Sequence, residues 1–348
     1  MAAKLTEAAK KFDYNPRNHN YAPTYVSGFG ITPAPPPLPP LSTKILARTA
    51  ARKGPHDQQQ SPLFNTLYPE LRNLVFTYAL TEYDDDTRPR SKHSRYYRPG
   101  QNFEGKISTS LLLTCRLVYI ETHLAPPALN EHDFWIDRNR VKSHSGKFER
   151  YAVYFGKMRP AQRAVVERMH IYADVAWLER RRLEGTRPGD VVDQSRQWMA
   201  HQQWPVGLVV ARLTITIRHM DWRNWRNQEL QLEVPRAEEG WGSWISGVPG
   251  IKQLVLELEA TEGRKDELDK VARTAVSWKF PLVDGAGCLV HNGKKPSEST
   301  WLASSALAPP TMRVGDPRTR DAEEERQLDE KHPMTLKVLV RTVVFALE

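Results

Sequence analysis

The run GLVVARLTITIRHM, residues 207–220, decides the fold class, because β-branched and aliphatic residues fill most of it. Such a run is typical of a strand that is buried on both faces of a sheet. Three runs of the same character accompany it: ERMHIYA (167–173), IKQLVLELEA (251–260) and TLKVLVRTVVFAL (335–347). Helical patterns lie between them, most clearly in residues 174–184, 189–204, 240–248 and 265–278. Strands that alternate with helices predict βα units and a largely parallel sheet.

The spacing of these strands suggests a repeat. The first three strand centres, near residues 170, 215 and 255, lie roughly 40 residues apart, a period typical of solenoids. We therefore expect residues 161–348 to form an irregular β/α domain similar to leucine-rich repeats, and a compact α/β domain is the alternative. Residues 303–334 are rich in charge and proline and predict a polar loop within this domain.

Residues 61–160 have a helical character instead. The segment PELRNLVFTYAL, residues 69–80, predicts a helix with an apolar stripe at Leu71, Leu74, Val75, Tyr78 and Ala79, of which the first four are expected to line its inner face. A second predicted helix, residues 108–123, carries Cys115 on its apolar stripe, which favours a packed and inert thiol. The charged residues near 82–106 predict an exposed loop between the two helices, and HDFWID (132–137) predicts a short strand.

Composition limits the class of protein. The chain has 348 residues, a net charge of +9 and only two cysteines. Residues 1–60 contain a clear excess of Lys and Arg and the proline-rich stretch ITPAPPPLPPLS, which together predict a disordered basic tail. The mean hydropathy is −0.59, and we expect no membrane span. The small number of cysteines favours a reducing compartment, the cytoplasm or the nucleus.

A search for catalytic and ligand motifs is negative. Residues 287–295 miss the phosphate-loop pattern, because five residues separate its glycines and no Ser or Thr follows the lysine. His132-Asp133 is a single adjacency, typical of a strand surface, and no histidine pair has helical metal-ligand spacing. We therefore expect no enzymatic activity, no metal and no cofactor.

The ten tryptophans are the most distinctive feature of the composition. The segment WRNWRN doubles a triplet just after a predicted strand and contains Trp222, Arg223, Trp225 and Arg226. Trp and Arg are enriched in binding hot spots, so these four residues are candidates for an exposed partner-binding rim. In the alternative interpretation one Trp caps the core and the arginines are solvated.

Two motifs in residues 61–137 carry a family resemblance. The first, SPLFNTLYPELRNLVFTYAL, matches a family pattern through Phe64, Leu67, Pro69, Glu70, Leu71, Arg72, Asn73, Val75 and Phe76. The second, LLLTCRLVYIETHLAPPALNEHDFWI, matches through Leu112, Thr114, Cys115, Arg116, Val118, Tyr119 and Glu121, followed by His132-Asp133-Phe134. Both resemble the F-box-like domain proteins of filamentous fungi. The chain departs from that pattern at Tyr68, where the family often has proline.

The resemblance implies a function. In F-box proteins the helical module docks on the adaptor of a cullin-type ubiquitin ligase, and the C-terminal domain holds a substrate. It implies Leu67, Pro69 and Leu71 as adaptor-docking residues. The resulting hypothesis is a non-catalytic protein–protein interaction protein that recognises substrates for such a ligase. The alternatives are an interaction scaffold unrelated to ubiquitin ligases and, less favoured, a nucleic-acid-binding protein that uses the basic tail and the Trp/Arg segment.

Overall fold

The computed structural model describes residues 56–94, 96–136, 150–179, 204–223, 229–233, 235, 240–305 and 322–348. All of these residues belong to one compact unit. Most of the predicted tail, residues 1–55, lies outside the described residues, as does the predicted helix 189–204 except for its last residue. None of the described helices is long and apolar enough to span a bilayer.

The described elements alternate between short helices and strands. The helices are α1 (Pro62–Asn65), α2 (Pro69–Leu80), α3 (Arg116–Thr122), α4 (Ala125–Leu129), α5 (Arg150–Gly156), α6 (Pro160–Arg163), α7 (Val175–Leu178), α8 (Gly240–Ser246), α9 (Lys265–Ala275) and α10 (Ala322–Lys331). The strands are β1 (Tyr83–Pro89), β2 (Phe103–Lys106), β3 (Glu131–Trp135), β4 (Arg168–Tyr172), β5 (Arg212–Ile217), β6 (Gln253–Thr261), β7 (Lys279–Pro281), β8 (Cys288–His291), β9 (Ser297–Ala303) and β10 (Leu336–Leu347). Short 3-10 turns occupy Thr109–Leu113, Glu262–Arg264 and Val283–Gly285.

A large mixed sheet forms the centre of the fold. Its strand order is β3-β4-β5-β6-β10-β8-β7, and β9 also pairs with β10. The pairs β3–β4, β4–β5 and β5–β6 are parallel, whereas β10 is antiparallel to β6, β8 and β9. The prediction of a mixed α/β fold is thus confirmed, but the prediction of a largely parallel sheet holds for only one half. The four predicted strands near 170, 215, 255 and 340 are β4, β5, β6 and β10.

The two faces of this sheet differ in polarity. On one face Ile171, Ile215 and Leu256 align across neighbouring strands and are fully buried. Side chains from α5, α7, α8 and α9, including Phe155, join them in one apolar cluster. Because strand side chains alternate in direction, the other face carries the intervening residues, which are largely polar. We call this second side the polar face.

The segment near 82–106 is largely exposed, as its charge predicts, but part of it forms strands and not a loop. It contains the antiparallel pair β1–β2, in which Asp85 is only 7% exposed and accepts a hydrogen bond from Thr87 Oγ1 at 2.6 Å. Residues 96–101 then lie on the polar face, where Tyr96 packs edge-on against Trp135. Asp85 also pairs with Lys106 of β2, so part of the charge of this segment is compensated within the strand pair, which composition does not reveal.

The predicted helix 108–123 is in fact two elements. The 3-10 turn Thr109–Leu113 ends at Thr114, and Cys115 adopts an extended backbone with φ −155° and ψ 164°. Cys115 therefore precedes α3 as its N-cap residue, and its Sγ accepts a hydrogen bond from Val118 N at 3.5 Å. The thiol is half-buried, whereas the sequence predicted a packed position within a helix.

Two further boundaries differ from the sequence-based division. Strand β3 belongs to residues 61–160 but pairs with β4, so the large sheet extends across residue 160. The predicted polar loop near 303–334 includes helix α10, and residues 306–321 lie outside the described residues.

Candidate functional site

Helix α2 exposes a row of apolar side chains. Leu71, Leu74, Val75 and Tyr78 are 49%, 45%, 46% and 66% exposed. Their spacing of three and four residues places them along one side of the helix, which we call the α2 face. Contiguous exposed apolar surface marks interaction sites, whereas single exposed apolar residues are common on any protein. The α2 face is therefore a candidate protein-binding surface.

The opposite side of α2 is the one that enters the core. Phe76 and Leu80 are fully buried, and Leu80 packs with Ala125 and Leu129 of α4. The helix is thus apolar on both sides. A helix of this kind is normally covered on both sides, either within one chain or by a partner.

Polar contacts hold α2 in this orientation. The guanidinium of Arg72 donates hydrogen bonds to both carboxylate oxygens of Glu121 in α3, at 3.0 and 3.3 Å, and lies 5.0 Å from the ring centre of Phe64. At the other end of the helix, Asn130 Nδ2 donates to Leu80 O at 2.9 Å. These contacts fix which side of α2 faces outward.

The sequence predicts α2 at the right residues but assigns its faces wrongly. Leu74 and Val75, predicted to line the inner face, are nearly half exposed. Of the predicted docking residues, Leu71 is exposed, Pro69 is exposed at the first helical position, and Leu67 is half-buried. Periodicity locates an apolar stripe, but it cannot tell which of two apolar sides meets the core.

Of the residues predicted to form an exposed Trp/Arg rim, Trp222 is buried. Trp222 is 1% exposed, and its indole Nε1 donates to Glu259 O at 2.7 Å. Arg223 is exposed and pairs with Glu179. Trp225 and Arg226 lie outside the described residues. Trp222 therefore belongs to the core, which matches the alternative interpretation for this residue.

The polar face holds a buried ionic network. Arg98 Nη2 lies 3.1 Å from Glu257 Oε2 and 3.2 Å from Glu259 Oε1. Glu259 is fully buried, and Arg98 also lies 5.2 Å from the ring centre of Tyr172. Burial opposes ionisation of Glu257, but Arg98 outweighs it and holds the pKa of this carboxyl below its usual value.

At the edge of the same face, three potential metal ligands converge. Glu131 and Asp133 of β3 and His170 of β4 each place one ligand atom within 4.8 Å of the others. Loss of solvation, together with the carboxylates of Glu131 and Glu82, raises the pKa of Asp133 to about 7. Burial lowers the pKa of His170, so its imidazole is neutral at physiological pH.

A small cleft of about 40 Å³, partly open to solvent, lies between residues 92–94 and 97–98 and the ends of β5, β6 and β9. Its wall includes His93, whose Nδ1 lies 2.8 Å from Ser304 Oγ and whose Nε2 lies 3.0 Å from Asp329 Oδ1. In a serine-hydrolase triad the carboxylate contacts Nδ1 and the serine contacts Nε2, the reverse of this arrangement. Ser304 Oγ also contacts His332 O at 3.3 Å. These bonds tie residues 92–94 to β9 and α10.

Sequence reasoning missed the convergence of Glu131, Asp133 and His170. The available signal was alternation, because Glu131 and Asp133 are two residues apart on a predicted strand and share a face. His170 joins them only through the parallel register of β3 and β4, which no local pattern reveals.

Comparisons with protein-family models, with curated proteins and with solved structures found no match.

Proposed function

We propose that this chain is a non-catalytic protein-interaction protein that docks through the α2 face onto the adaptor of a cullin-type ubiquitin ligase. The single observation that carries the proposal is the exposure of Leu71, Leu74, Val75 and Tyr78 on a helix whose opposite side is already buried. The choice of adaptor rests on the resemblance of residues 61–137 to F-box-like proteins.

The α2 face has the properties of a docking surface. Leucine, valine and tyrosine side chains that are about half exposed have apolar area left to bury, at roughly 25 cal/mol per Å². The residues implied by the resemblance, Pro69 and Leu71, lie at the start of this face. Leu74, Val75 and Tyr78 extend the face along the helix, so a partner can contact about three turns of α2.

The large sheet supplies the second half of the proposed receptor. We propose that its four parallel strands, β3 to β6, form an irregular platform similar to leucine-rich repeats that holds the substrate. These strands are neighbours in the same order in sequence and in space, as in repeat architectures. The substrate is a protein of unknown identity, and we place the complex in the cytoplasm or nucleus.

A binding assay with purified components tests the proposal. Leu74→Ser removes apolar area from the α2 face, and Leu302→Ser provides a matched control because Leu302 is 56% exposed on β9. We expect the unchanged chain and Leu302→Ser to bind the adaptor equally and Leu74→Ser to bind at least tenfold more weakly. Both variants keep their thermal stability, since exposed substitutions change it little.

The same assay separates the proposal from its main alternative. Failure of the unchanged chain to bind the adaptor rejects the ligase function. If the chain is a scaffold unrelated to ligases, its partner proteins should be captured from cell extract by the unchanged chain and not by Leu74→Ser. The cellular lifetime of those partners should stay the same when the chain is removed from the cell.

A further inference from the structure

We infer that Glu131, Asp133 and His170 form a binding site for one divalent transition-metal ion at the edge of the polar face. This inference is independent of the proposed docking function, because the site lies on β3 and β4 and not on α2. It departs from the sequence, which predicts neither a metal nor a cofactor.

The strand register brings the three ligands together. Glu131 and Asp133 project from the same side of β3, and the parallel register places Asp133 directly beside His170 of β4. Asp133 Oδ1 lies 3.9 Å from His170 Nδ1. Two ligand atoms at about 2.1 Å from one ion are at most about 4.2 Å apart, so this distance suits a shared ion.

The tautomer of His170 points to a cation. Thr216 Oγ1 donates its proton to Glu257 Oε2 at 2.6 Å, so it accepts at 2.7 Å from His170 Nε2, which must carry the ring hydrogen. His170 Nδ1 therefore presents a lone pair toward Asp133. His170 is only 8% exposed, and within the described part of the chain its Nδ1 makes no hydrogen bond.

When Asp133 is ionised, two acceptors thus face each other without a proton donor between them. The 3.9 Å separation of Nδ1 and Oδ1 is too long for a direct hydrogen bond. A bound cation satisfies both lone pairs and also offsets the repulsion between the carboxylates of Glu131 and Asp133. The nearby guanidinium of Arg98 is already engaged with Glu257 and Glu259.

Neighbouring side chains orient the ligands, as in known metal sites. The chain His170–Thr216–Glu257 fixes the imidazole, and Arg98 fixes Glu257. Gln101 Nε2 donates to Asp133 Oδ2 at 2.8 Å, which leaves Oδ1 free to face His170.

The donor set selects the class of ion. One imidazole nitrogen with two carboxylates suits Zn²⁺, Mn²⁺, Fe²⁺ or Co²⁺, whereas Mg²⁺ and Ca²⁺ prefer oxygen ligands alone. Three protein ligands leave at least one position for water, and the partly exposed Asp133 gives the ion a route from solvent. A bound ion would join the edge strand β3 to β4 and to the segment around Gln101.

Equilibrium dialysis of the full chain, free of tags, against Zn²⁺ or Mg²⁺ tests the site. We expect one equivalent of Zn²⁺ to bind and Mg²⁺ to bind at least tenfold more weakly. Asp133→Asn and His170→Gln should each lower Zn²⁺ affinity at least tenfold. Glu262→Gln is the control, because it removes an exposed carboxylate paired with Lys337.

Circular dichroism shows whether each variant is folded. Because His170 is buried, His170→Gln can fail to fold, and Asp133→Asn then tests the site alone. Titration with Co²⁺ gives a second readout, since nitrogen and oxygen ligands alter its visible spectrum and Asp133→Asn should abolish that change. Absence of Zn²⁺ binding to the unchanged chain overturns the inference. Equal binding by Asp133→Asn and Glu262→Gln overturns it as well.

Discussion

Arg98 compensates a buried negative charge. Its guanidinium contacts Glu257 and the fully buried Glu259. Arg98→Met would leave Glu259 without this partner, and breaking a buried pair on one side costs about 3–5 kcal/mol of unfolding free energy. Urea denaturation measures the loss. Arg88→Met is the control, because the Arg88 side chain is 52% exposed and its removal should change stability by less than about 0.5 kcal/mol.

Adding Glu259→Gln to Arg98→Met provides the complementary test. The double variant should recover part of the stability lost in Arg98→Met, because the uncompensated charge is gone. A double variant that is less stable than Arg98→Met alone would contradict this account of the network.

The carboxyl of Asp133 makes stability depend on pH in the metal-free protein. Its pKa of about 7 in the folded chain lies above the unfolded value near 3.8, so folding favours the protonated form. The folded state therefore loses stability as pH rises from about 4 through 7. Asp133→Asn, measured in the presence of a chelator, should be more stable than the unchanged chain at pH 8.

The same comparison at lower pH checks the cause of that gain. The advantage of Asp133→Asn should shrink toward pH 5, where the folded chain binds a proton at Asp133. Thermal unfolding of both proteins across this range measures it. A difference that is constant with pH would assign the effect to packing and not to charge.

At the scale of elements, α2 shows what periodicity can and cannot predict. The bounds of the helix follow from Pro69 at its first position and from the apolar spacing. The side of the helix that is buried cannot be predicted in this way, because Phe76 and Leu80 on one side are as apolar as Leu74 and Val75 on the other. The contact of Arg72 with Glu121 of α3 distinguishes the sides, and it joins residues far apart in the sequence.

The stability of α2 variants should follow the observed faces. Phe76→Ala deletes a fully buried side chain and should cost about 3–5 kcal/mol, whereas Leu74→Ala should stay within about 0.5 kcal/mol. Chemical denaturation of both variants measures these losses of unfolding free energy. A large loss for Leu74→Ala would mean that the α2 face is covered.

The start of α3 gives an independent test of the local structure. Because Cys115 is the N-cap residue and is half-buried, Cys115→Asp places a strong capping acceptor at the positive end of the helix. We expect an unchanged or slightly higher melting temperature. A drop of several degrees would support the packed thiol that the sequence alone predicts.

At the scale of the molecule, the long apolar strands were predictable and their partners were not. Residues 253–261 and 336–347 read as strands because β-branched and aliphatic residues dominate them. Strands β7 and β8 are only three and four residues long, and β9, SESTWLA, is mostly exposed, so these three lack a strong apolar signal. The convergence of Glu131, Asp133 and His170 depends on strand pairing, and local patterns do not determine pairing.

The topology predicts which part of the sheet opens last. Strand β10 lies between β6 and the pair β8 and β9, and its register with β6 runs from Val338 to Ala346. Amides in a central, doubly paired strand exchange only through extensive unfolding, whereas those of a two-stranded hairpin exchange through local opening. In native-state hydrogen exchange read by mass spectrometry, peptides covering 253–261 and 336–347 should therefore be the slowest. Peptides covering the β1–β2 pair should exchange at least tenfold faster, because that pair is a separate two-stranded sheet. Equal protection of the β1–β2 and β10 amides from exchange would contradict this prediction and would mean that the hairpin and the large sheet unfold as one unit. The contacts of Arg98 and Gln101 with the large sheet would then be the first to remove by mutation, in order to test what couples the two.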